Sequence, residues 1–136
     1  MGHTNFQKVY NMILEHVALT ITDYNEIEQF YHEILEMNKI KSFVLDKVLA
    51  GDIFGIEKET KVFLLQKDEL LLEIFLNTEQ HHQGFNHICI STSHREKIFK
   101  KATQHSYKCL RLKRKNSDMI FVTDNSGNIF EIKQSP

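Results

Sequence analysis

Residues 14–22 read L-E-H-V-A-L-T-I-T, and residues 85–92 read F-N-H-I-C-I-S-T. Both stretches alternate with a period of two, the mark of a strand with one face packed and one face open. In the first, Val17, Leu19 and Ile21 point one way, and His16, Ala18, Thr20 and Thr22 the other. In the second, Ile88 and Ile90 oppose His87, Cys89 and Ser91. An offset of 71 residues lays His16 on His87, Val17 on Ile88, Leu19 on Ile90 and Ile27 on Ile98. The chain is an internal repeat, and that decides its fold.

Outward from the first strand, Asp23 is placed to cap a helix, with Glu26 three residues on completing a capping-box-like start. Ile27, Phe30, Tyr31 and Ile34 recur at helical spacing, predicting an amphipathic helix over 25–35. Strand-like runs follow at 40–48, briefly near 52–56, then at 60–66 and 70–76, with Lys67-Asp68-Glu69 as the tight turn between the last two. The polar segment 77–84 is the best boundary between the halves. After the second opening strand the spacing predicts a helix over 94–105 and strands at 107–112, 119–123 and 128–133. Asp124-Asn125-Ser126-Gly127-Asn128 is rich in residues that tolerate left-handed backbone. The order is β-α-β-β-β, twice. We therefore expect an α+β fold in one domain, 13–136, made of modules 13–77 and 85–134, with residues 1–12 as an N-terminal extension.

Size and charge agree with that reading. The 136 residues are enough for one domain, and 41% apolar with 26% charged residues is ordinary for a soluble globular chain. Formal net charge is −1, without the basic excess that marks a nucleic-acid binder. No apolar run reaches the ~18 residues needed to span a bilayer. Cys89 and Cys109 form no Cys-x-x-Cys pair and read as free thiols. The expected location is cytoplasmic.

Four polar residues occupy matching places in the two halves. His16 and His87 lie near the start of each first strand; Glu73 and Glu131 lie in each last strand. Leu72 and Ile74 flank Glu73, while Phe130 and Ile132 flank Glu131. These neighbours suit the helix-facing side and leave the carboxylates on the open face. A carboxylate centred in an apolar strand is expensive to bury unless paired or bound to a metal. A lone strand histidine is ordinarily a satisfied core or surface residue, but four such residues at repeat-equivalent positions indicate a shared ion. Two imidazoles and two carboxylates suit one octahedral or five-coordinate divalent ion, Zn, Ni, Co, Mn or Fe, with positions left for water or substrate.

The runs L-E-H-V-A-L-T-I-T-D…F-Y-H-E-I-L, L-L-E-I-F, F-N-H-I-C-I and D-N-S-G-N-I-F-E-I resemble the vicinal oxygen chelate superfamily. It includes glyoxalase I, methylmalonyl-CoA epimerase, extradiol dioxygenases, and fosfomycin- and bleomycin-resistance proteins. The most specific piece is D-x-x-G-N-x-x-E, Asp124 to Glu131. The resemblance implies a glyoxalase-like pair of βαβββ modules whose curved mixed sheets enclose a metal cleft. The order His16, Glu73, His87, Glu131 matches the bacterial glyoxalase I ligand set. Epimerases of the family commonly carry Gln at the place of Glu73, and its fosfomycin enzymes and extradiol dioxygenases lack that first-half Glu. Glu36 stands where the family's helix usually ends in Gly.

The resemblance also implies a function. It points to a metal-dependent lyase or isomerase of the glyoxalase I type, acting on a small oxygenated substrate. In such an enzyme Glu131 is the proton-transferring base and Glu73 the more permanent ligand. The alternatives are a methylmalonyl-CoA-epimerase-like enzyme or a drug- or metabolite-binding protein without turnover. A homodimer is expected, with the cleft formed within one chain or across two. The run 108–115, K-C-L-R-L-K-R-K, reads mainly as a charge-protected edge strand, with Arg111 as the candidate substrate anchor. Cys89 is expected beside the site as a small thiol. His81 and His82 read as loop residues.

Overall fold

The structure is a computed structural model and describes residues 14–79 and 84–136. The extension 1–12, His81 and His82 lie outside the described residues. The alternating stretches form strands as their periodicity requires. The first half runs β1 (Val17–Ile21), α1 (Ile27–Ile34), β2 (Asn38–Leu45), α2 (Lys47–Phe54), β3 (Thr60–Lys67) and β4 (Leu70–Leu76). The second runs β5 (His87–Thr92), α3 (Arg95–Gln104), β6 (Lys108–Leu112), β7 (Met119–Thr123) and β8 (Ile129–Gln134).

The two halves build sheets of the same plan. Their strand orders are β1-β4-β3-β2 and β5-β8-β7-β6. In each, the opening strand pairs in parallel with the closing one, and the remaining pairs are antiparallel. This is the α+β arrangement of tandem glyoxalase-like modules. The two sheets remain separate and do not close on one another within the chain.

The second strand-like run, 52–56, is not a strand. Residues 47–54 form α2, which begins at Asp46, whose carboxylate accepts from the Leu49 N–H at 2.9 Å. It ends at Gly55, whose φ of 72° is the left-handed geometry that glycine adopts at little cost. The pattern K-V-L-A-G-D-I-F hides the helix because its β-branched residues and central glycine weigh against one, while the two caps decide for it. This helix has no counterpart between β6 and β7. It accounts for most of the spacing by which the first half exceeds the second.

One face of each sheet carries a helix. Ile27, Phe30, Tyr31 and Ile34 of α1 are buried, together with Ile98 and Ala102 of α3, against Leu72, Ile74, Phe130 and Ile132. Phe30 meets Tyr31 and Tyr107 edge-on, each at 5.0 Å between ring centres, and lies 5.6 Å from Phe130. Helix α1 is wound wide, its Leu35 N–H bonding to the Phe30 carbonyl five residues back. Beyond α1 and α3 the chain turns through left-handed residues, Glu36 (φ 60°) and Ser106 (φ 64°), so the repeat extends to the turns. Glu36 holds the conformation without being glycine, and its carboxylate meets Lys67, Lys97 and Lys101 at 3.3–3.5 Å.

The expected capping box at Asp23 and Glu26 is not made. Asp23 accepts from the Asn25 N–H, a local turn. Glu26 is buried and reaches into the second half instead, accepting from the Tyr107 hydroxyl at 2.6 Å and from the Asn125 N–H. Asp124, also buried, accepts from the Tyr31 hydroxyl at 2.7 Å and from the N–H groups of Ser126 and Asn128. Asn128 completes the set by donating to the Thr20 carbonyl of β1.

Burial pushes the Glu26 carboxyl above its usual range, while Tyr107 and Asn125 draw it back by hydrogen-bonding the charged form. Its ionisation therefore opposes folding, and that cost sets in as pH rises past the ordinary carboxylate range, where the unfolded chain ionises, and is complete above the raised value. The Tyr107 hydroxyl matters most when Glu26 is charged. Tyr107→Phe is expected to lower stability by about 1.5–3 kcal/mol at pH 7 and clearly less at pH 4, measured by urea unfolding at both. Equal losses at the two pH values would show that the carboxylate is not what the hydroxyl stabilises.

Candidate metal centre

Strand parity puts the four candidate donors on the open faces. In the first sheet Ala18 pairs with Glu73 and Val17 with Leu72, so His16 and Glu73 share the side opposite the buried Leu72 and Ile74. The His16 imidazole Nε2 lies 3.6 Å from Glu73 Oε1. In the second sheet Cys89 pairs with Glu131 and His87 with Ile129, placing His87, Cys89 and Glu131 on the side opposite the buried Phe130 and Ile132. The His87 ring is oriented by its Nδ1, 2.9 Å from the Phe85 carbonyl oxygen. A histidine that offers one nitrogen outward while a carbonyl fixes the other is the usual arrangement for a metal ligand.

The structure brings His16 and Glu73 into contact, while His87 and Glu131 only share a face of their sheet. Among the described residues no three His, Cys, Asp or Glu side chains lie close enough to hold one ion. His16 and Glu73 are two donors of a set on one sheet, and His87 and Glu131 share a face of the other. A single ion held by all four within one chain is not formed. The donor chemistry of each half still fits a nitrogen–oxygen ion.

Cys89 is tied to its half-site. Burial raises its thiol above the usual range, and the neighbouring Glu131 charge adds to the effect. Both cysteines are free. Glu131 also borders an open cavity of about 550 Å³ lined by Arg114, Lys115 and Lys133.

Arg111 stands elsewhere. It pairs in register with Ile120, on the helix-covered side of its sheet, opposite the face that carries Glu131. There it stacks 4.7 Å over the Phe99 ring and bonds Glu96 and Asp118. Alternation from Lys108 puts Arg111 beside Cys109 in packing, and the cations that border the cavity, Arg114 and Lys115, come from further along the run.

The family model described as Glyoxalase/Bleomycin resistance protein/Dioxygenase superfamily matches residues 13–132. No curated protein sequence matches the chain. Among solved structures, a point mutant of the fosfomycin resistance protein FosX from Listeria monocytogenes superposes with TM-score 0.71 at 18% identity. The match covers 92% of this chain and 95% of that one, which is complexed with Mn(II) and 1S,2S-dihydroxypropylphosphonic acid. A glyoxalase family protein from Enterococcus faecalis superposes with TM-score 0.66 at 19% identity, covering 88% of this chain and 95% of that one. The repeat, its two mixed sheets and the matched span agree: the chain belongs to the Glyoxalase/Bleomycin resistance protein/Dioxygenase superfamily.

Proposed function

We propose that the protein is a metal-dependent lyase or isomerase of the glyoxalase I type, acting on a small oxygenated substrate. The observation that carries this reading is the pair of matching half-sites, His16 with Glu73 and His87 with Glu131, on the open faces of two equivalent sheets. Because the two donor pairs do not meet within one chain, the complete site requires a second copy. The first sheet of one protomer then faces the second sheet of the other in a homodimer. Exposed apolar side chains on those surfaces, Val48, Leu49 and Ile53 in the first half and Leu110 and Leu112 in the second, support burial against a partner.

His16, Glu73, His87 and Glu131 would hold one divalent ion, of the class that FosX holds as Mn(II). When bound, the ion supplies Lewis-acid polarisation of a substrate carbonyl. Glu131 takes the proton from the carbon next to that carbonyl and returns it to the adjacent atom, so no proton is gained or lost overall. Cys89 is the register partner of Glu131 on the same face. Glu73, in contact with His16, keeps the opposite side of the site anionic. The second reading is a metabolite-binding protein without turnover, favoured by the lack of three converging donors among the described residues.

Two measurements decide between these readings. The double variant His16→Ala/Glu73→Ala and the double variant His87→Ala/Glu131→Ala are each expected to lose divalent metal. Mixed and re-annealed, they should recover roughly a quarter of the wild-type metal capacity, since half the dimers carry one intact composite site. Mixing without recovery would exclude a site built across two chains. Separately, Glu131→Gln should reduce turnover by about 10²–10⁴-fold on a panel of glyoxalase and epimerase substrates. Unchanged turnover would remove Glu131 from proton transfer, and no turnover by the wild type on any member would favour the binding protein.

A further inference from the structure

Helix α2 lies over the open face of the first sheet, the face that carries His16 and Glu73. Its Ala50 is buried together with Val62 of β3, which pairs with Phe75, and the Phe54 ring meets Phe75 edge-on at 5.4 Å. Between helix and sheet a cavity of about 140 Å³ remains, walled by Ala18, Thr20, Leu45, Ala50, Phe54 and Phe75. No charged residue lines it. Two of the polar side chains at its edge are engaged elsewhere: the Thr60 hydroxyl donates to the Lys58 carbonyl, and the Asn77 side chain accepts from Lys58.

The position of this cavity is fixed by strand register. Ala18 is the direct partner of Glu73, and Thr20 of Phe75. Residues two apart on a strand share a face at a separation of about 7 Å, so the cavity begins one such step from the Glu73 backbone. The small Ala18 side chain leaves the passage open. An engineered apolar cavity of about 150 Å³ accepts benzene, so this one has room for about four to six carbon atoms.

We propose that this cavity is the subsite for a short alkyl group of the substrate, attached next to the oxygens that the metal site holds. The substrate class is then a vicinally oxygenated compound with an unbranched aliphatic substituent of about four to six carbons. Helix α2 sets the length limit, with Phe54 as the far wall. The second half has no helix at the equivalent place, so its open face offers no such enclosure. The inference rests on the metal-centre reading above, and its test separates the two.

Alkyl hydroxamates present two adjacent oxygens on a chain of chosen length. Titration calorimetry of the Mn(II)-loaded protein with acetohydroxamate through octanohydroxamate reads both parts at once. Affinity should rise about fourfold per methylene until the cavity is filled and then level off. Thr20→Leu, which fills the cavity, should leave acetohydroxamate binding within twofold of wild type and abolish the gain with chain length. Phe54→Ala should move the plateau one or two carbons further. Equal affinity along the whole series, or a Thr20→Leu series parallel to wild type, would overturn the alkyl subsite while leaving the metal centre standing. No binding of acetohydroxamate to Mn(II)-loaded protein, or no uptake of Mn(II), would overturn the metal-centre reading and the subsite with it.

Discussion

Two buried carboxylates hold the halves of this protein in one orientation. Glu26 belongs to the first half and takes a hydroxyl from the second, whereas Asp124 belongs to the second and takes a hydroxyl from the first. An ionised carboxylate withdrawn from water without donors costs several kcal/mol. Glu26 takes both of its donors, Tyr107 and Asn125, from the opposite half, and Asp124 adds the Tyr31 hydroxyl of the first half to the donors that Ser126 and Asn128 supply from its own. Apolar packing between α1 and α3 has no such directional demand and would tolerate sliding. The reciprocal Tyr–carboxylate pairs remove that freedom and fix where the two open faces look.

The repeated order of elements was legible because the opening strands alternate cleanly and share an offset. The sides taken by Glu73 and Glu131 were legible for the same reason: strand parity leaves a side chain only two choices, and aliphatic neighbours at Leu72, Ile74, Phe130 and Ile132 decide between them. Helix α2 was hidden because its evidence lies in two cap residues, Asp46 and Gly55, and not in its apolar spacing. Glu26 reads as a capping residue because a capping box and a long-range buried acceptor have the same local sequence. Arg111 reads as a substrate anchor because a dense basic run does not reveal which member faces α3. Whether four donors converge depends on how two sheets sit relative to each other, a quantity that no local pattern carries.

The halves share a plan but have diverged in what covers their open faces. The first carries a helix over part of that face, with a mainly apolar cavity beneath. The second leaves Glu131 beside a wide, cationic opening lined by Arg114, Lys115 and Lys133. A composite of one face from each half would thus have an apolar end and a basic end about a shared centre. Such polarity orients an asymmetric ligand without any change to the duplicated framework.

Glu36 has a different consequence. Its left-handed backbone costs about 1 kcal/mol for a residue other than glycine. Burial works against its charge, yet Lys101 and Lys97 of α3 hold its carboxylate below the usual range. Unlike the tyrosine-bound carboxylates, this three-lysine knot is partly open to solvent and so responds to dissolved ions. The seam between the halves therefore has two grades of fastening, one indifferent to the ionic medium and one that slackens as salt accumulates.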